Sequence, residues 1–417
     1  MLTPAMWASE GGDDEIDEGT DAAAAVPDYA AESKLTPTAR GANPEVTESS
    51  PSDELETAAE ESSVAYEQFE KDEFPLLLLG SEVPPGTSKR LSWAASESFE
   101  GIAVPTPVLV VNGAKPGPVL CLTAAVHGDE LNGVEMVRRI IHALEPENLR
   151  GAVIGIPIVN LQGFRRATRY LPDRRDLNRY FPGNPKGSSA ARIAHSFFEN
   201  IIGNCSYLVD LHTGSFYRTN LPQLRADLRI PEVADLTHGF GSTVVLHSVP
   251  GTGTLRRAAT EAGIPSVTLE AGEPMRLQPD EVDHGVSAVE SLLNYLGMVS
   301  KLRLWGDPEP VYYESRWVRA NHGGILLSTV ELGERVKPGR ILGTITDPIT
   351  NKQTEIHSPS EGRVLGMAIN QFVMPGFAAF RIGVVTSESE MQESSEDAGQ
   401  PSELAEHATE EDPVPSE

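Results

Sequence analysis

Four residues in this chain have the types and positions to assemble a metal and a proton shuttle. His127 and Glu130 lie in AVHGDELNG, His212 in VDLHTG and Glu270 in TLEAGEP, and each motif follows an apolar run. Two imidazoles and one carboxylate are a known catalytic zinc set that leaves a fourth position for water. A further Glu beside them would move the proton of that water. Taken singly these residues say little. An H-x-x-E tetrapeptide arises by chance, a His after a strand is commonly a satisfied core residue, and a Glu there commonly caps a helix or pairs with Arg. Their weight comes from falling together at strand exits on one expected edge.

Between these motifs lies NLQGFRRATRYLPDRRDLNRYFPG (160–183), which contains Arg165, Arg166, Arg169, Arg174, Arg175 and Arg179. One reading is a solvated basic loop balanced by Asp173 and Asp176. The other is recognition of an anionic substrate, since guanidinium binds carboxylate in a bidentate fork and can stabilise an oxyanion. Ser215 follows His212 closely, but no Ser-His-Asp arrangement accompanies it, and it reads as a loop residue.

The elements that must position these residues are legible as a change of period. VLCLTAAV (119–126) is a continuous apolar run, the mark of a strand buried on both faces. The helical stretch ELNGVEMVRRIIHAL (130–144) follows, then a strand in AVIGIPIVN (152–160). SAARIAHSFFENII (189–202) reads as a helix and SYLVDLH (206–212) as a strand. STVVLHSV (242–249), LRRAATEAG (255–263), PSVTLE (265–270) and GVSAVESLLNYLG (285–297) continue the strand–helix alternation. Such alternation predicts an α/β fold with an open, largely parallel sheet, whose ligands bind beyond the carboxyl ends of the strands. From about 315 to 385 the runs shorten and are broken by Gly and Pro, which predicts a small all-β unit.

The charge is unevenly distributed. Residues 1–75 hold 20 acids against three bases, and 386–417 hold 11 acids and no Lys or Arg; together they carry the whole net charge of −28. The intervening chain balances at 30 acids and 30 bases. Both tails are poor in apolar periodicity and are expected to be disordered, because burial cannot offset their ordering entropy. No basic stripe marks a nucleic-acid binder. No apolar run reaches the roughly 18 residues of a membrane span, and the start of the chain lacks the pattern of a secretory signal. Cys121 and Cys205 sit in apolar, strand-like surroundings, so a disulfide is not expected, and the sum of these readings is a soluble cytoplasmic protein.

In order along the chain, HGDELNG, N-x8-R ending at Arg169, DLNRYFPG, DLHTG and LEAG resemble the succinylglutamate desuccinylase/aspartoacylase family of the zinc carboxypeptidase superfamily. The resemblance spans about residues 85–385. It implies a zinc-carboxypeptidase-like mixed, largely parallel sheet flanked by helices, and one Zn2+ per chain on His127, Glu130 and His212. It further implies Glu270 as general acid/base, Asn178 and Arg179 as the pair that binds a substrate carboxylate, and Arg169 as the carbonyl-polarising arginine. Arg165 stays open as the alternative for that last role. Residues 315–385 resemble the family's second domain, a lipoyl/biotinyl-like barrel. Lys352 lies in the hairpin where such domains are modified, but the turn here is longer, and packing beside the active-site mouth is the expected use.

The expected organisation is an acidic tail (1–75), a catalytic zinc hydrolase domain (76–305), a β-barrel-like domain (306–385) and a second acidic tail (386–417). The expected function is hydrolysis of the amide bond of an N-acylated amino acid or similar small carboxylate. The alternatives are a zinc carboxypeptidase acting on a short peptide or conjugate, and a catalytically silent anion- or protein-binding module. Neither nucleic acid nor membrane is an expected partner, and homo-oligomerisation stays open.

Overall fold

Every residue described by the computed structural model lies within 75–94, 105–300 or 311–384. The expectations of disorder for 1–75 and 386–417 therefore fall, apart from Pro75, outside the described residues. The leucines at 76–79 lie at the start of the first described segment. β1 (Leu76–Leu78) pairs antiparallel with β2 (Ser81–Val83), and Leu78 and Val83 are buried in the core.

The apolar runs form the centre of a 13-stranded mixed sheet. Its first eight strands are β3 (Thr87–Trp93), β4 (Thr106–Asn112), β5 (Lys115–Ala124), β6 (Arg150–Ile156), β7 (Tyr207–His212), β8 (Arg218–Ala226), β9 (Val244–His247) and β10 (Ser266–Gly272). The parallel set β6-β5-β7-β10 occupies the middle. Antiparallel strands close both sides, β4 and β3 beyond β6 and β8 beyond β10. The sheet is thus mixed, with its parallel character concentrated where the site motifs exit.

Six helices accompany these strands among the described residues: α1 (Asn132–Ala143), α2 (Leu161–Arg165), α3 (Ser189–Asn200), α4 (Pro231–Thr237), α5 (Leu255–Glu261) and α6 (Pro279–Tyr295). Buried side chains of α3 and α5 pack with Cys121 and Leu208 on one face. Those of α1, α4 and α6 pack with Leu120, Leu122, Val209 and Leu211 on the other. Successive strand residues point to opposite faces, so a central strand covered on both sides is apolar wherever no buried partner satisfies a polar group. Gly155 of β6 lets α1 lie close, since a Cβ there would press on Val137 and Ile141.

Three departures from expectation have identifiable causes. β8 was not legible because it buries Arg218, Asn220, Gln223 and Arg225 and contains Pro222. Helix α6 begins six residues before the expected run, with Pro279 near its start and Asp280 and Glu281 in the first turn, all favourable at a helix N-terminus. Cys121 and Cys205 are joined by a disulfide, with Cα atoms 5.7 Å apart. Their apolar surroundings are the same cluster, one on β5 and one just before the adjacent β7, so proximity overrides the sequence reading. The cysteines thus no longer support a cytoplasmic placement. No helix among the described residues is long and apolar enough to cross a membrane.

The all-β region follows as β11 (Val311–Tyr312), β12 (Glu314–Arg319), β13 (Gly324–Ser328), β14 (Arg335–Val336), β15 (Ile341–Thr346), β16 (Gln353–His357), β17 (Gly362–Ala368), β18 (Gln371–Val373) and β19 (Ala378–Val384). One layer, β12-β19-β17, continues the main sheet by pairing β17 with β8. The other is the four-stranded sheet β16-β15-β13-β18, and Leu326, Leu342, Ile345, Phe380 and Ile382 share the core of this region. The hairpin 347–352 joins β15 to β16, with Lys352 exposed.

Candidate active site

The exits of β5, β7 and β10 meet at one edge of the sheet. β5 runs into a turn at Ala125, whose φ of 46° is left-handed, and the Glu130 amide closes on the His127 carbonyl at 3.2 Å. This turn aims both side chains to one side before α1 begins. Gly128 is required there, because a Cβ would run into the backbone of Gly163 and Phe164. Asn132, in the first turn of α1, ties the corner to β10 by donating to the Ala271 carbonyl at 3.0 Å.

His127, Glu130 and His212 come together with one donor atom of each within 4.8 Å of the others. Glu130 bridges the imidazoles, its Oε1 lying 2.8 Å from His127 Nδ1 and its Oε2 2.8 Å from His212 Nδ1. The Thr213 amide donates to the same Oε2 at 3.0 Å. All three residues are at least 95% buried. Each ring keeps a carboxylate on its other nitrogen: Asp176 lies 3.1 Å from His127 Nε2, and Asp210 lies 2.8 Å from His212 Nε2. Thr123 in turn donates to Asp210 at 2.6 Å. Carboxylates in these outer positions fix ring orientation and raise ligand basicity at metal sites.

The electrostatics describe a hollow for positive charge. Burial and Arg169 push His127 downward, yet Glu130 and Asp176 raise it above the ordinary imidazole range. Burial likewise opposes His212, which Asp210 and Glu130 raise well above it. Burial would raise Glu130, but His127 and His212 hold it far below the usual carboxylate range. Asp176 is likewise held below the usual carboxylate range, with His127 and Arg169 overcoming its burial. Two buried imidazoles around three carboxylates favour an added cation, and the nitrogen and oxygen donors suit a zinc-type ion.

The Arg-rich segment divides by burial. Arg169 is 5% exposed, whereas Arg165 lies on the surface. Arg169 donates to Asp176 Oδ2 through Nη2 at 2.8 Å, to Ser215 Oγ at 3.0 Å and to Glu130 Oε1 at 3.4 Å through Nη1. The N-x8-R spacing has a local cause. Asn160 caps α2 by accepting from the Gly163 amide and donates to the Arg169 carbonyl at 3.3 Å. Asn178 uses its side-chain oxygen to accept from the Leu255 amide at 2.8 Å, which docks the DLNR turn onto α5. Arg179 donates to the Asn178 carbonyl, and its charge acts on Asp176.

Glu270 lies directly opposite His212 in the β10–β7 pairing. Its Oε2 accepts from Asn220 at 3.0 Å, and its Oε1 lies 3.2 Å from Arg225 Nη1. Arg256 is buried nearby, and burial together with Arg225 pulls it down to about 10. Sequence reasoning passed over Asn220, Arg225 and Asp210, and it counted Asp176 only as charge balance. A signal was available for Asp210 and Asp176, since each stands in a D-L-H or D-L-N triplet already singled out. None was available for β8.

Residues 116–296 match the profile of the succinylglutamate desuccinylase/aspartoacylase catalytic domain. That stretch marks a catalytic domain of the succinylglutamate desuccinylase/aspartoacylase type. Its sequence is 26% identical over 258 residues to the N-alpha-acetyl-L-2,4-diaminobutyric acid deacetylase of Halomonas elongata, covering 59% of this chain and 75% of that one. A succinylglutamate desuccinylase/aspartoacylase from Rhodobacter sphaeroides superposes with a TM-score of 0.64 at 26% identity, covering 71% of this chain and 95% of that one. The ectoine utilization protein EutE (DoeB) of Ruegeria pomeroyi shares the fold, with a TM-score of 0.65 at 22% identity over 73% of this chain and 97% of that one. These similarities support a hydrolase of the deacylase class.

Proposed function

We propose that this chain is a zinc-dependent amidohydrolase that removes the acyl group from an N-acylated amino acid or a related small acid. The observation that carries the proposal is the buried His127–Glu130–His212 cluster with Glu270 in register beside it. These three residues would hold the ion. When bound, zinc polarises a scissile carbonyl and lowers the pKa of a water to about 7.

The chain's own residues would do the rest. Glu270, oriented by Asn220 and Arg225, would take the proton of the attacking water and later deliver it to the leaving amine nitrogen. Arg169 would donate to the oxygen on which negative charge develops, where loss of one donor typically costs about 10²–10³ in rate. Arg179 and the amide nitrogen of Asn178 would take a substrate carboxylate through charge-assisted hydrogen bonds. Asp176 and Asp210 would orient the two imidazoles. No covalent nucleophile is required, because water would attack directly.

The test is metal analysis of the purified full chain, followed by a panel of N-acetyl amino acids, N-succinyl amino acids and short peptides with detection of released amine. The proposal expects one zinc per chain and turnover of an N-acyl amino acid. His127→Ala and His212→Ala should lose metal and turnover together, and a variant that keeps its full zinc content removes that residue from the ligand set. Release only of C-terminal residues from peptides would favour the carboxypeptidase reading. A zinc-loaded chain that turns over nothing in the panel would favour a binding module.

A further inference from the structure

The loop that follows His212 is held from two sides. On the inside, Ser215 Oγ accepts from Arg169 Nη1 at 3.0 Å, and Arg169 lies over the Phe216 ring at 5.4 Å. On the outside, the loop is gripped by the C-terminal β region. The Ile369 amide and the Gln371 side chain both donate to the Tyr217 carbonyl at 2.8 Å. Phe216 and Tyr217 have φ of 53° and 58°, so two successive non-glycine residues adopt the left-handed conformation. Such backbone persists only where its surroundings over-determine it.

Arg218 joins the two sides. It is 5% exposed, and its guanidinium lies 5.8 Å from the Phe216 ring centroid, 5.0 Å from Trp317 and 5.7 Å from Phe377. Trp317 belongs to β12, and Phe377 immediately precedes β19, so two of the three rings come from the C-terminal region. The Arg218 Nε donates to the Ser215 carbonyl at 3.1 Å, and its backbone amide reaches the same oxygen at 3.2 Å. The path from the C-terminal region to the site is short: Trp317 and Phe377, then Arg218, then Ser215, then the guanidinium of Arg169.

We propose that Arg218, clamped by Trp317 and Phe377, is a positioning residue that sets Arg169 for catalysis by fixing the carbonyl and hydroxyl of Ser215. The inference rests on the proposed deacylase role of Arg169 and adds to it the device that holds the arginine. Desolvated cation–π contacts hold a guanidinium in place, and a misplaced oxyanion donor loses its effect in the transition state while leaving ground-state binding largely intact. The C-terminal region thereby acts on the chemistry.

The experiment compares full-length wild type, Arg218→Leu, Arg218→Lys, Trp317→Leu, Ser215→Ala and the double variant Arg218→Leu/Ser215→Ala, all zinc-loaded. Two readouts are used: kcat and KM on the best N-acyl amino acid of the panel, and the rate of phenylglyoxal labelling at Arg169 by peptide mass spectrometry. Arg218→Leu and Ser215→Ala should each lower kcat about tenfold with KM within about twofold, the split expected for an interaction made in the transition state. The double variant should be no worse than the poorer single one, since both act through one path. Arg218→Lys, which keeps the cation on the rings, should recover part of the loss, and labelling of Arg169 should rise about threefold or more in Arg218→Leu and Trp317→Leu.

Unchanged labelling with unchanged kcat would overturn the proposal, as would additive losses or a loss confined to KM. Should Arg218→Leu fail to fold, Trp317→Leu and Ser215→Ala carry the same comparison. If wild type turns over nothing in the panel, the deacylase reading fails, and labelling at Arg169 alone decides whether Arg218 positions it.

Discussion

Glu270 and His212 occupy directly paired positions on adjacent parallel strands, β10 and β7. Paired residues of neighbouring strands project to the same face. The sheet register therefore carries the candidate base to the side of a candidate ligand with no loop between them, and a rigid scaffold places functional groups more closely than a loop can. Asn220 and Arg225 of the next strand, β8, complete the hold on the carboxylate.

Glu270→Gln should retain zinc and lose turnover by about 10²-fold or more, because an amide cannot shuttle protons. The amide oxygen keeps one of the two acceptor positions used by Asn220 and Arg225, and circular dichroism and thermal unfolding check that the fold survives. Metal content and steady-state rates measured on the same preparation check this. Turnover at the wild-type rate would remove Glu270 from the role of base.

Asp176→Asn should weaken two relationships at once, since the same carboxylate meets His127 at 3.1 Å and Arg169 at 2.8 Å. Loss of such a partner to a metal-ligating His typically costs about 10–100-fold in metal affinity or activity. Zinc affinity by competition with a chelator and kcat by amine release should both fall. If only thermal stability moved, Asp176 would be a structural cap and nothing more.

The Cys121–Cys205 bond closes a segment with a sequence separation of 84, and native disulfides of this kind contribute about 2–5 kcal/mol. Urea unfolding of Cys205→Ser, or of wild type in reductant, should show a loss in that range. Thiol titration of the denatured, unreduced chain should find no free thiol. Two titratable thiols would contradict the pairing.

His247 supplies a pH dependence away from the metal cluster. Burial pulls its imidazole below the ordinary range, with Arg229 and Arg256 acting the same way against Asp227. The Leu228 amide lies 3.2 Å from its Nδ1, a contact that needs the neutral ring. As pH falls, the unfolded chain takes up this proton first, near pH 6.5. The stability associated with the neutral ring is thus complete above that pH and is lost as pH drops toward the lower folded value. Between pH 7.5 and 5.5 the stability of wild type relative to His247→Asn should fall, because only wild type carries this contribution. Equal losses in denaturant titrations at the two pH values would show that His247 is not responsible.

The amino-acid sequence by itself determined the strands at the heart of the sheet and the residues at their ends. VLCLTAAV and SYLVDLH are dominated by apolar residues because both faces are covered, with the buried Thr123 and Asp210 as exceptions, and that pattern is local. His127, His212 and Glu270 could be named because each stands at or just past the end of such a run, where an α/β sheet presents its ligands. Only the tertiary structure decided what those residues touch. Cys121 and Cys205 looked like two ordinary buried thiols until adjacent strands brought them together. Ser215 looked like a loop residue until Arg169, 46 positions earlier, donated to its hydroxyl. Asp176 looked like charge balance until the loop folded back onto His127. β8 escaped notice because its inward residues are polar, and polar side chains are buried only where distant partners satisfy them. Hydrophobic periodicity is written in neighbouring residues and can be read along the chain. The pairing of buried polar groups depends on contacts between segments far apart in sequence, and those exist only once the sheet has closed.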